Sequence, residues 1–356
     1  MSFVLIGIII TTALTGCTTL GYYRQAISGH LEVMQGRVPL SELIAAADTR
    51  AELKRQLQLV AAARKFATHE LFLPDNDSYR SYSDLKRKYV VWNVFAAPEL
   101  SIEPVSSCFL FVGCLSYRGF FNEARARQFA ASLTAAGNDT FVGGVAAYST
   151  LGWFDDPVLN TMLVWDDVRI VEVIFHELAH QVLYADGDTV FNESFASAVA
   201  EIGIERWLAF NHQASAGRPE NARRQDQFFK LLLRYRDKLG TLYTSAVSDA
   251  KKHTQKKQLF SELSDAYLAL KQTWGGYDGY DDWMLEDLNN AKLTSVSTYH
   301  DYVPAIRSIL ERVDNELSRF YAALKVLGSL SNDERKQCLG AAVAEAACLD
   351  EIVDAD

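Results

Sequence analysis

Two histidines stand four residues apart, His176 and His180, with Glu177 directly after the first. On a helix, residues four apart share one face, with about 5–6 Å between their Cβ atoms. Two neutral imidazoles at that spacing can hold one Zn²⁺ between them. Glu177 beside them can then act as general base toward a metal-activated water. The same trio also arises by chance on solvated helix faces, so it needs a third ligand before it carries chemistry.

The flanking sequence offers one. Val168, Val171, Ile174, Leu178 and Val182 recur at spacings of three and four, the period of an amphipathic helix. Asp166 or Asp167 can cap its start. Ala185-Asp186-Gly187-Asp188 breaks the run, and Val190, Phe191, Phe195, Val199 and Ile202 resume the period. The pattern predicts two antiparallel helices joined by a tight turn. Glu193 lies about as far beyond that turn as His180 lies before it, so the two should meet. A catalytic zinc takes three protein ligands and keeps one position open. His176, His180 and Glu193 make such a set, with Glu177 as the base.

His176-Glu177-Leu178-Ala179-His180 followed by Asn192-Glu193-Ser194-Phe195-Ala196-Ser197 resembles the helix pair of the gluzincin metallopeptidases, and within them the zinc aminopeptidases. Segments 90–101, 108–121, 147–157 and 289–293 resemble a narrower group, bacterial lipoproteins classed as aminopeptidases. The resemblance implies a zinc-dependent peptidase with Zn²⁺ as cofactor and a peptide as substrate. The linker between the helices is shorter here than in the zinc aminopeptidases. Their G-x-M-E-N segment, which holds a substrate α-amine, is missing. Glu172 or Glu201 can fill that role, and endopeptidase action stays open.

In gluzincins a Tyr or His from a later helix supports the oxyanion. Tyr299 is the first counterpart here and Tyr148 the second. Gluzincins also bind extended substrate along a sheet edge through main-chain hydrogen bonds. Residues 142–147, with Gly143 and Gly144, are either that edge or a packed core strand. The rival function is an envelope lipoprotein that uses the same fold for binding or scaffolding without catalysis. Glu177 speaks against it, because a structural zinc site takes four protein ligands and needs no base.

The N-terminus has its own signal. Phe3 to Ile10 is apolar, too short to span a bilayer and of the length of a signal-peptide core. Leu14-Thr15-Gly16-Cys17 resembles a bacterial lipobox, although no Lys or Arg precedes the apolar run. That implies removal of residues 1–16 and a lipid anchor on Cys17; an ordinary secretory signal cut nearby is the alternative. Thr18 after the cysteine resembles lipoproteins sorted to the outer membrane. The expected location is therefore the bacterial cell envelope, lipid-anchored and facing the periplasm.

Four cysteines remain, an even number that suggests disulfides in an exported chain, with three possible connectivities. Neighbours pair most simply, Cys108 with Cys114 and Cys338 with Cys348. For the first pair a Cα separation of roughly 4.4–6.8 Å is expected. A cysteine metal site is the rival, but the spacing fits no common zinc motif.

The 356 residues are 49% hydrophobic and 22% charged, enough for one large or two intimate domains. A net charge of −10 without a Lys/Arg-rich run argues against a nucleic-acid partner. The expected fold is α+β and mostly α-helical: a zincin-like helix hairpin beside a small β-sheet, then a C-terminal helical region. The segments are a signal peptide over 1–16, N-terminal helices, sheet and zinc hairpin over 17–213, and packed helices over 214–356.

Before the hairpin, helices are expected over 20–36, 40–71 and 122–136, with β structure over 89–97, 109–117 and 140–149. After it, helices are expected over 219–256, 258–274, 300–327 and 331–347. Arg118 binds either a substrate carboxylate or a structural one. The 153–157 turn frames the cleft or plugs the core, and 275–280 is a lid or a linker. The lysines around His253 read as a solvated face.

Overall fold

The computed structural model describes residues 21–109, 113–212, 220–300, 302–340 and 347–354; Cys17 and the expected signal segment lie outside them. Helix α1 covers 21–35 and leads through β1 (Val38–Pro39) into α2 (Leu40–Ala45) and α3 (Ala51–Glu70). The single helix expected over 40–71 is thus two, because Ala46 turns extended (ψ 133°) and ends α2. Short β2 (Ser81–Ser83) pairs antiparallel with β1.

Strand β3 (Val91–Pro98) is the centre of the main sheet. Its β-branched and aromatic residues suit a pleated, buried surface. Strands β4 (Ser107–Phe109) and β5 (Gly113–Leu115) form a separate pair closed by the Cys108–Cys114 disulfide. The two cysteines face each other directly across that pair. Their Cα separation is 3.8 Å, below the expected span. Strand β6 (Tyr117–Phe120) follows, then α4 (Glu123–Ala135) and β7 (Asn138–Val145). Asn122 caps α4 by accepting from the Arg125 N–H, and Gly137 (φ +85°) ends it. The sheet runs β6-β3-β7, antiparallel throughout, so β7 is an edge strand. A two-residue β8 (Val158–Leu159) lies parallel to β2.

The hairpin is α5 (Asp167–Ala179) and α6 (Thr189–Phe210). Helix α6 is buried on nearly every side, the mark of a central helix. Helices α7 (Glu220–Thr244) and α8 (Asp249–Thr273) form an antiparallel pair. The break falls at 245–248 rather than at 257, because Ser248 takes the extended conformation of an N-cap.

Helices α9 (Asp281–Leu285), α10 (Asn290–His300), α11 (Val303–Arg312), α12 (Leu317–Ser329), α13 (Asn332–Gly340) and α14 (Ala347–Asp354) complete the chain. The helix expected over 300–327 is interrupted because Asp314 and Asn315 both adopt positive φ, which short polar side chains tolerate better than others. A second disulfide joins Cys338 to Cys348.

The largest core collects α3, α5 and α6 together with α11 to α14. Helices α7, α8 and α10 make a second cluster of their own. Buried Asn290 locks that cluster to the sheet: its amide donates to the Pro98 and Glu99 carbonyls, and its N–H to Asp139. Lys256 pairs with Asp139 at 2.6 Å, and Lys252 donates to the Tyr243 carbonyl. The lysine-rich face near His253 is therefore partly structural. Residues 274–280 pack their rings into the second cluster, with Tyr280 stacked on Phe228 at 4.2 Å, which makes the segment a packed linker.

Candidate metal centre and active site

Helix α5 starts where Asp166 accepts a hydrogen bond from the Arg169 N–H at 2.9 Å. Ile170, Val171, Ile174 and Leu178 are fully buried on its core side. The opposite stripe, Glu172, His176, Glu177 and His180, lines a cavity of about 1470 Å³. The helix ends at Ala179, and His180 is its C-cap. Gly187 (φ +77°) turns the chain, and Asp188 caps α6 through the Phe191 N–H. Arg335, buried on α13, braces that cap: it pairs with Asp188 at 2.8 Å and donates to the Leu327, Gly328 and Leu330 carbonyls. The helices cross closely at Gly203, where a Cβ would sit 2.6 Å from the Phe175 ring.

The hairpin brings Glu193 onto both histidines. Its Oε2 lies 3.3 Å from His176 Nε2 and 3.7 Å from His180 Nε2. The imidazole rings are 4.9 Å apart and nearly perpendicular. The three ligand atoms all lie within 4.8 Å of one another, the only such group among the described residues. Ligands about 2.0–2.1 Å from a tetrahedral ion stand roughly 3.4 Å apart, so two nitrogens and one oxygen here fit a single zinc-sized ion. His180 Nδ1 is buried without a partner. Burial works against a charged carboxylate at Glu193, yet hydrogen bonds from His176 and His180 outweigh it and hold the group at about 2. Burial also works against a charged His180, and Glu193 outweighs it, so its pKa is raised.

Glu177 stands beside this set and lines the same cavity. Burial pushes its pKa up, against the opposing pull of His176 and His180. The Ser149 hydroxyl approaches both Glu177 and Tyr79. Behind it, Tyr79 is fully buried, at a positive φ of 62°. Its N–H donates to the Asp156 carbonyl at 2.6 Å. Asp156 is buried, accepts from the Thr150 N–H and hydroxyl, and leaves Oδ1 unpartnered. Burial lifts its pKa to about 7.

The remaining expected residues fall differently. Tyr148 lines the cavity, but its hydroxyl meets His30 Nδ1 at 3.4 Å. Tyr299 belongs to α10, and its side chain lies outside the described residues. Gly144 lines the cavity and Gly143 does not. The small residue at 144 answers to Tyr89, since a Cβ there would lie 2.3 Å from that ring. Arg118 stacks over Tyr22 at 4.0 Å and Phe129 at 4.9 Å, a packing role. Glu172 and Glu201 line the cavity, paired with Arg169 and Arg307.

Two tyrosines that the sequence did not single out stand at the site. Tyr117 on β6 and Tyr184 in the interhelical turn both line the cavity and both feel the Glu193 charge. Burial raises both phenols, Tyr184 to about 12.

A family model described as "Putative aminopeptidase" matches residues 21–339. No curated protein and no solved structure matches the chain.

Proposed function

The chain belongs to that aminopeptidase family, and from this premise we propose that it is a zinc-dependent peptidase, acting at the amino end of peptides in the bacterial cell envelope. One observation carries the reading: His176, His180 and Glu193 converge on a single point with Glu177 beside it, inside a cavity large enough for a peptide. Bound zinc would supply Lewis acidity, polarising the scissile carbonyl and making water more acidic.

Glu177 takes a proton from the attacking water as the new C–O bond forms. It returns that proton to the leaving nitrogen as the C–N bond breaks. Its raised pKa, caused by burial, suits a group that must both accept and release. Tyr117 and Tyr184 are the hydroxyls beside Glu193 that can donate to a developing oxyanion. The free edge of β7 leads into the cavity at Gly144 and Val145 and can pair with an extended substrate backbone. At its far end the Asn289 amide donates to the Thr140 carbonyl, so pairing is confined to the cavity end. Glu172 and Glu201 line the same cavity, each paired with an arginine, and can share that charge with a substrate α-ammonium.

The test is metal analysis of the purified protein together with cleavage of a peptide library carrying free and blocked N-termini. One bound zinc and cleavage that requires the free amine support the reading. Cleavage of blocked peptides at internal bonds makes the protein an endopeptidase. Zinc without cleavage makes it a binding protein.

A further inference from the structure

Four large apolar side chains stand in water on one side of the cleft mouth. Ile27 is 60% exposed, Leu31 48%, Trp153 76% and Phe154 52%. Ile27 and Leu31 lie one turn apart on α1, on the same face. His30 joins them to the loop, with its ring 4.6 Å from that of Phe154. Scattered exposed residues need no explanation, but a contiguous group does.

The exposure is built in. The Phe154 N–H donates to the Thr150 hydroxyl, and the Trp153 N–H donates to the Thr150 carbonyl. The Arg37 guanidinium ties the end of α1 to the same loop through the Asp155 carbonyl at 2.8 Å. The opposite side of α1 is packed: Val33 is buried, and Gly29 presses on the Phe121 ring. The two aromatic rings are thus held outward by an ordered turn.

We propose that this face rests on the lipid bilayer, with Trp153 and Phe154 set among the headgroups and acyl ends. The inference depends on the envelope reading above, in which Cys17 carries a lipid. From Cys17 to the start of α1 at Gly21 is four residues, a reach of at most about 14 Å. An anchor there brings the membrane to α1 before any other part of the chain. Arg24 and Arg37, both exposed, flank the apolar group and suit lipid phosphates. A net charge of −10 repels an anionic surface as a whole, so contact depends on insertion of the apolar group. Tyr22, Ala26 and Leu151 line the cavity from the same two segments. Docking would therefore set the cleft mouth close to the membrane plane, where it meets peptides held near the bilayer.

Trp153 is the only exposed tryptophan of the six, which gives the experiment its probe. The mature protein purified from cells is mixed with phosphatidylethanolamine/phosphatidylglycerol vesicles containing brominated lipid, and its mature N-terminus is read by mass spectrometry. Bromolipid should quench part of the tryptophan emission. That part should vanish in Trp153→Phe and be largely lost in the double variant Ile27→Asp, Leu31→Asp. Both variants should keep wild-type hydrolysis of soluble peptides, which reports an intact fold. Vesicle-bound protein whose emission is not quenched, or quenching that survives Trp153→Phe, overturns the proposal. An unlipidated N-terminus sinks the anchor alone; the surface then stands only if the unlipidated chain is still quenched through Trp153.

Discussion

Asn192 and Ala185 are joined by two hydrogen bonds: the Asn192 side chain accepts from the Ala185 N–H and donates to the Ala185 carbonyl, each at 2.8 Å. Both residues are buried, and Asn192 immediately precedes Glu193. The turn between the helices is thereby gripped by the residue next to Glu193, a member of the group that could hold a metal. Without the Asn192 side chain the buried Ala185 N–H is orphaned, at about 1–3 kcal/mol, while the Ala185 carbonyl keeps the Asp188 N–H at 3.2 Å. Asn192→Ala should lose about 1–3 kcal/mol in denaturant melts and bind zinc more weakly than wild type. An unchanged midpoint would mean that the turn holds itself.

Glu193 and Glu177 should fail in different ways. Glu193→Ala leaves two imidazoles and should lose metal and activity together. Glu177→Gln keeps the ligand set but cannot accept a proton. It should retain zinc and lose roughly 10²–10⁴-fold in kcat. Zinc stoichiometry beside peptide hydrolysis separates the two. Full zinc in Glu193→Ala would reassign the ligand, and wild-type turnover in Glu177→Gln would reassign the base.

Asp156 gives a pH signature. Burial raises its folded pKa to about 7, against about 3.9 in an unfolded chain. The folded protein holds this proton more tightly, so the contribution is full below about pH 4 and is lost as pH rises through about 7. Asp156→Asn carries no such penalty, and its amide oxygen can still accept from Thr150. The stability difference should therefore move in favour of the variant between about pH 4 and 7, by at most about 1.4 kcal/mol per pH unit. Denaturation of both proteins across that range checks it. A pH-independent difference would place the carboxyl in its charged form throughout.

Gly203 permits the close crossing of the helix pair. A methyl there meets the buried Phe175 ring at 2.6 Å and Leu71 Cδ1 at 2.8 Å. The gain in helix propensity, about 1 kcal/mol, is smaller than the repacking it forces. Gly203→Ala should destabilise by about 1–3 kcal/mol overall and shift the histidines relative to Glu193. A variant as stable as wild type with unchanged zinc affinity would show that the crossing has slack.

The helix hairpin was legible because period and chemistry coincide in it. The apolar repeat of α5 fixes which stripe is buried, and the histidines fall on the other. Disulfide pairing was legible because each cysteine has one near neighbour. Helix breaks at 245–248 and 313–316 were not, because they turn on the backbone conformations of Ser248, Asp314 and Asn315 within otherwise periodic stretches. The support of Glu177 was hidden for another reason. Ser149 reaches the base, with Tyr79 and Asp156 nearby, only through long-range packing, and no local spacing announces it. Tyr117 carries no such signal, because a tyrosine on a strand reads as core until the sheet is seen to border the candidate metal group.

The brace from Arg335 to Asp188 has a consequence for how the protein is made. A ribosome releases the metal ligands long before it releases α13. Until then the cap of α6 lacks its guanidinium, and the main core lacks the helices that close over α5 and α6. Contacts so distant in sequence form late. On the proposed function, metal capture would belong to the end of folding, when the last helices have come home, and a half-made chain would have no finished site with which to cut its neighbours.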